Sequence, residues 1–115
     1  MPNLSASHLT LTEIQASVDR WINQFEEGYW PPLSMFASVI EEVGELAREI
    51  NDREGYKKKR SINEENLGLE LGDIIFSVVC LANHYRIDLD KAFMSVMEKY
   101  ENRDANRWTR KNKTE

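Results

Sequence analysis

The sequence predicts an all-α protein whose protomer is an antiparallel four-helix bundle. Three observations lead there. Apolar residues recur at three- and four-residue spacing along four separate stretches. Helix start and stop signals bracket those stretches. No run alternates apolar and polar residues as a half-buried strand would. Ile74, Ile75, Val78 and Val79 are β-branched, but they sit in an apolar run too long for an ordinary strand. The connections are short, as in an up-and-down bundle. At 115 residues the chain reads as one domain, 1–115.

The first helix is expected over about 10–27. Thr10 and Glu13 make a T-x-x-E capping box, with Leu9 and Ile14 placed as its hydrophobic staple. Leu11, Ile14, Val18, Trp21, Ile22 and Phe25 form its apolar stripe, and Gly28, Pro31 and Pro32 stop it. The second, about 33–51, carries Phe36, Val39, Ile40, Val43, Leu46, Ala47 and Ile50 on one stripe. A polar stretch with Gly55 then reads as a loop to Arg60. The third, about 62–85, begins at a Ser61/Glu64 capping box. From Leu67 to Ala82 it is apolar nearly all round, the pattern of a helix buried on every side. Because this run contains Glu70 and Asp73, it is expected to be a core helix and not a membrane span. The fourth, about 88–104, starts from Asp88 as N-cap, and 108–115 is a charged tail.

The chain is 41% hydrophobic and 30% charged, within the range of folded globular domains. A net charge of −5 argues against a nucleic-acid polymer as partner. Cys80 is the only cysteine, which excludes an internal disulfide and a CxxC metal site and fits a reducing compartment. The first residues, MPNLSASHLTL, lack the basic and apolar regions of a signal peptide. The expectation is therefore a cytoplasmic protein with no membrane partner.

The chemistry lies in the acids. Residues three apart on a helix share a face, so Glu42 pairs with Glu45 and Glu70 with Asp73. Glu42 and Glu45, opposite an apolar stripe, would pass as an ordinary solvated face. Glu70 and Asp73 would not. They are the charged residues of the Leu67–Ala82 run and, with Ser77, form its one polar stripe. An ionised carboxylate there must be protonated, meet a basic side chain, or bind a metal ion. If the second and third helices face each other, four carboxylates converge. All-oxygen ligation then favours Mg²⁺, with Mn²⁺ as substitute. Neither pair includes a histidine, which disfavours di-iron and zinc. His84, near the end of the third helix, reads as structural.

Carboxylate-held Mg²⁺ commonly completes its shell with substrate phosphates. A cationic group for those phosphates is available in Lys99, Asn102 and Arg103 of the last helix. Cations there also complement the helix dipole. The run Lys57-Lys58-Lys59-Arg60 reads as a solvated loop.

Glu41-Glu42-Val43-Gly44-Glu45-Leu46 followed by Glu70-Leu71-Gly72-Asp73-Ile74 resembles the signature of the MazG-type nucleotide pyrophosphohydrolases, of the all-α NTP pyrophosphohydrolase superfamily. The length suits a short single-domain member. The resemblance implies hydrolysis of nucleoside triphosphates between the α and β phosphates, giving a monophosphate and pyrophosphate. It implies that Glu42, Glu45, Glu70 and Asp73 hold Mg²⁺, and that Glu41 or Glu45 serves as base. Lys99, Asn102 and Arg103 would contact phosphate. Trp21 and Phe25 would lie near the nucleobase, although both also continue the first helix's apolar stripe. A homo-oligomer, dimer or tetramer, is implied as well. The alternatives are a phosphoribosyl-ATP-type pyrophosphohydrolase and a non-catalytic helical oligomer that binds a nucleotide or a partner.

Overall fold

The computed structural model describes residues 9–55 and 64–112, apart from the side chains of 64 and 65. The Ser61 cap and the Lys57–Arg60 run lie outside the described residues. The chain forms four helices: α1 (Leu11–Ile22), α2 (Pro32–Arg53), α3 (Glu64–His84) and α4 (Leu89–Arg103). No strand occurs among the described residues.

Local signals account for the starts of α1, α2 and α4. Thr10 Oγ1 accepts the Glu13 N–H at 3.0 Å, and Glu13 Oε1 accepts the Thr10 N–H at 2.9 Å. The Thr10 N–H and the Thr10 hydroxyl, which also donates to Glu13 Oε1 at 3.0 Å, hold the Glu13 carboxyl below its usual range. Asp88 caps α4 by accepting the Lys91 N–H at 3.2 Å. Pro32 opens α2 at the first helical position, where a missing N–H costs nothing.

α1 is shorter than its apolar stripe suggests. It ends at Ile22, not near 27, and the chain turns through three-residue bonds, Phe25 N–H to Ile22 O and Gly28 N–H to Phe25 O, each 3.2 Å. Gly28 has φ +60°, a left-handed conformation that a side chain disfavours. Phe25 therefore keeps the stripe's spacing but sits in a turn. At the other end of the next element, α2 continues to Arg53, two residues past the expected 51.

α2 packs along α3, α1 lies across α3, and α4 packs against α1. The core is Val18, Met35, Val79 and Cys80, ringed by Ile14, Ile22, Tyr29, Leu81 and Leu89. Polar bonds tie α1 to the α3–α4 turn. Gln15 Nε2 donates to Asn83 Oδ1 (2.9 Å) and to Ile87 O (2.8 Å), and Gln15 Oε1 accepts the Leu89 N–H (2.9 Å). Asp90 accepts from Thr12.

The expectation that α3 is covered on all sides fails within one protomer. Val79 is 1% exposed, yet Leu69 is 65% exposed and Leu71, Ile75, Phe76 and Val78 also face outward. The reason is topological. α1 and α2 cover part of α3, while α4 leaves beside α1, so no fourth helix closes the opposite side. By length and apolarity alone, Asn66–His84 would also suit a membrane span. α4 is exposed along 91–103.

Candidate functional site

The α2–α3 pair brings three of the expected acids together. One carboxylate oxygen each from Glu42, Glu70 and Asp73 lies within 4.8 Å of the others. Glu42 and Glu70 are half-buried and Asp73 is exposed. Burial first, then the charges of Asp73 and Glu70, a hydrogen bond with Glu70 and the charge of Glu45 push the Glu42 carboxyl up. Glu70 Oε2 is buried and has no hydrogen-bond partner. Such an atom costs roughly 1–3 kcal/mol unless something outside the described residues satisfies it. Among the described residues no lysine or arginine pairs with the three acids. Converging anionic oxygens with one orphaned, buried acceptor fit a hard divalent cation such as Mg²⁺.

The other two acids stand outside that group of three oxygens. Glu45, one turn beyond Glu42, is exposed and 3.6 Å from Arg48, though its charge still reaches Glu42. Glu41 is exposed and about 100° around α2 from Glu42.

A cavity of about 420 Å³ opens beside the cluster. Trp21, Phe25, Trp30 and Phe76 give it aromatic walls. Trp21 meets Phe25 edge-on at 5.2 Å and Phe76 at 6.1 Å between ring centres. Ser38 and Ser77 line it too. They lie four residues from Glu42 and from Asp73, one helical turn along the same faces. The pocket and the acidic cluster are thus consecutive along one helix pair. Tyr29 closes another side. Its hydroxyl donates to Asp19 Oδ1 at 2.7 Å and accepts from Asn83 Nδ2 at 2.9 Å. Burial and the bond to Asp19 push its pKa up to about 12. Burial likewise raises the Cys80 thiol, which makes it a poor nucleophile.

The cationic residues of α4 are elsewhere. Lys99 lies 5.1 Å above its neighbour's ring, Tyr100. Arg103 binds Asp104 through Nε (3.2 Å) and a terminal nitrogen (3.3 Å). Asn102 is exposed. Within one protomer none of the three is joined to the acidic cluster. His84 stacks edge-on against Tyr85 at 5.0 Å and takes no part in the cluster.

Comparison with known proteins decides the family. Residues 31–108 match the model of the MazG nucleotide pyrophosphohydrolase domain. The chain belongs to the MazG nucleotide pyrophosphohydrolase family. It is accordingly a hydrolase. Among curated proteins, YpjD of Bacillus subtilis is 51% identical over 106 residues, covering 91% of this chain and 96% of its own length. YvdC of the same organism is 30% identical, covering 73% and 90%. The crystal structure of B. subtilis YpjD aligns with a TM-score of 0.77 at 48% identity, over 84% of this chain and 99% of that one. The Bacillus-conserved MazG protein, a nucleotide pyrophosphohydrolase, aligns with a TM-score of 0.72 at 38% identity, over 94% and 99%.

The matched span of this MazG domain contains α2, α3 and α4, and hence all three clustered acids. It begins after Trp21 and Phe25. The aromatic pocket is therefore built jointly by the matched helices and by α1 with its following turn. Sequence reasoning missed Glu27, Tyr29, Trp30, Ser38 and Phe76 as pocket residues. A signal existed for Ser38, placed four residues before Glu42 as Ser77 is placed four after Asp73. None existed for the turn residues, because their position depends on where α1 ends.

Proposed function

We propose that the chain is a Mg²⁺-dependent nucleoside triphosphate pyrophosphohydrolase, with Mn²⁺ as substitute, that cleaves the α–β phosphoanhydride of (deoxy)nucleotides to a monophosphate and pyrophosphate. The observation that carries this is the adjacency of a carboxylate cluster with an orphaned oxygen and an aromatic pocket one helical turn away. One end suits a metal-bound phosphate and the other a stacked base.

Glu42, Glu70 and Asp73 would hold the ion, joined by Glu45. When bound, Mg²⁺ would supply charge neutralisation and polarisation of the phosphoryl oxygens. Glu45 is free to turn inward, because its exposed pairing with Arg48 is of a kind worth at most about 1 kcal/mol. It shares Glu42's face and is the better-placed base to take a proton from water; Glu41 is the second candidate. Trp21 and Phe25 would stack on the base.

Lys99, Asn102 and Arg103 would meet the phosphates in a homo-oligomer, dimer or tetramer, in which α4 approaches the site of another copy. Phe93, Val96, Met97 and Tyr100 form an exposed apolar stripe on α4, and Leu71, Ile75 and Val78 another on α3, both suited to burial against a second chain. The cytoplasm, where nucleotides and Mg²⁺ abound, is the proposed location.

The test is a panel of NTPs, dNTPs and phosphoribosyl-ATP with Mg²⁺ or Mn²⁺, with pyrophosphate and monophosphate both measured. Pyrophosphate with the matching nucleoside monophosphate is expected. Glu70→Gln and Asp73→Asn should each lose at least the roughly 10–100-fold that even outer-shell metal partners are worth. Orthophosphate alone, or no product from any nucleotide, refutes the reading. Turnover of phosphoribosyl-ATP alone moves the substrate to that class.

A further inference from the structure

The aromatic pocket contains one charged side chain, and its sign is wrong for a phosphate. We propose that Glu27 reads the hydrogen-bonding edge of the base, so that the pocket selects a base with two adjacent N–H donors, the pattern of guanine. The proposal rests on the nucleotide reading above and adds the base to it.

Stacking on aromatic rings is tolerant of base identity, because every base has a π-face. Discrimination must come from the polar groups of the wall. The Tyr29 hydroxyl is already engaged by Asp19 and Asn83. Ser38 and Ser77 lie on the side of Glu42 and Asp73, where the sugar and phosphates would run. The indole N–H groups of Trp21 and Trp30 can only donate, and every base carries an acceptor for them. Glu27 remains. It lines the cavity, and among the described residues no donor or cation engages its carboxylate. Glu27 is exposed, so it stands at the mouth of the cavity, and the turn Phe25–Gly28 fixes its backbone through the Gly28 N–H to Phe25 O bond of 3.2 Å and the left-handed φ of +60° at Gly28.

An ionised carboxylate is an acceptor with two oxygens and no donor. Guanine presents N1–H and the N2 amino group side by side, so both oxygens are used in charge-assisted bonds. Adenine and cytosine offer one amino donor beside a ring nitrogen whose lone pair faces the carboxylate. Uracil and thymine offer N3–H between two carbonyls, so a carbonyl oxygen opposes the carboxylate. The predicted order is guanine first, adenine and cytosine next, uracil and thymine last. Loss of one charged hydrogen bond in such a site is worth roughly tenfold or more. Glutamine at position 27 would offer one acceptor and one donor, which complements the N3–H and O4 edge of thymine and the N1–H and O6 edge of guanine alike.

The experiment has two arms. The first titrates dGMP and dTMP into the full chain in EDTA, followed by tryptophan fluorescence, and needs neither metal nor catalysis. The second compares kcat/KM for dGTP and dTTP with Mg²⁺. Wild type should favour the guanine nucleotide at least tenfold in both arms, and Glu27→Gln should close the gap. Equal affinities, a gap that survives Glu27→Gln, or no quenching by either monophosphate at millimolar concentration overturns the proposal. Selective binding in the first arm with no pyrophosphate from any nucleotide in the second would sink the hydrolase reading and leave the base assignment standing.

Discussion

Replacing Glu70 with methionine should stabilise the metal-free protein and remove its response to Mg²⁺. Glu70 Oε2 is buried without a partner, and Glu42 and Asp73 crowd the same carboxylate. Methionine keeps a similar length and carries no acceptor. Deleting a buried, unsatisfied polar atom recovers roughly 1–3 kcal/mol. For a chain of 115 residues the unfolding entropy is about 0.24 kcal/mol per degree near the midpoint. The expected rise in Tm is therefore about 4–12 °C. In the wild type, saturating Mg²⁺ should recover a similar amount or more, since a ligand at a hundred times its Kd adds about 2.7 kcal/mol. The assay is thermal unfolding of both proteins, with EDTA and with Mg²⁺, at one protomer concentration because association shifts Tm as well. A metal-free Glu70→Met protein that melts at or below wild type refutes the argument from the orphaned oxygen. A variant that keeps the full Mg²⁺ shift refutes Glu70 as a ligand.

Two further outcomes follow from the raised groups. The Glu42 carboxyl is pushed up in the folded state, so its neutral form is favoured there. The stability this contributes is present below the ordinary carboxylate range and is lost as pH rises through the folded value. Mg²⁺ needs the ionised form, so the Mg²⁺-induced Tm shift should fade on acidification above the usual carboxylate range. A shift constant down to the ordinary range would contradict the cluster. Tyr29 should keep its proton up to about pH 12, and Tyr29→Phe should remove the latest step of a tyrosinate absorbance titration. If that step survives, the Asp19–Tyr29–Asn83 network is wrong.

Much of the fold was legible because its signals are local. The Thr10/Glu13 box and the Asp88 cap state their helix ends within four residues, and both bond as written. The α1 terminus was not legible. Phe25 fits the helical period, but the competing turn at Gly28 wins, and periodicity does not reveal where a chain turns. α3 misled for a different reason. An apolar circumference does not say which neighbours a helix will have, and α1 and α2 leave Leu69, Leu71, Ile75 and Val78 exposed.

The sequence by itself determined the helices, the family signature and the two acidic pairs, because a helix converts spacing into a shared face. Only the tertiary structure decided which acids meet. The antiparallel α2–α3 contact brings Glu42, Glu70 and Asp73 within 4.8 Å while Glu45 turns to Arg48. It also decided that Trp21, Trp30 and Phe76 enclose one pocket with Glu27 in its wall. Residues 55 apart, such as Trp21 and Phe76, become neighbours only through packing, and no local pattern encodes that distance.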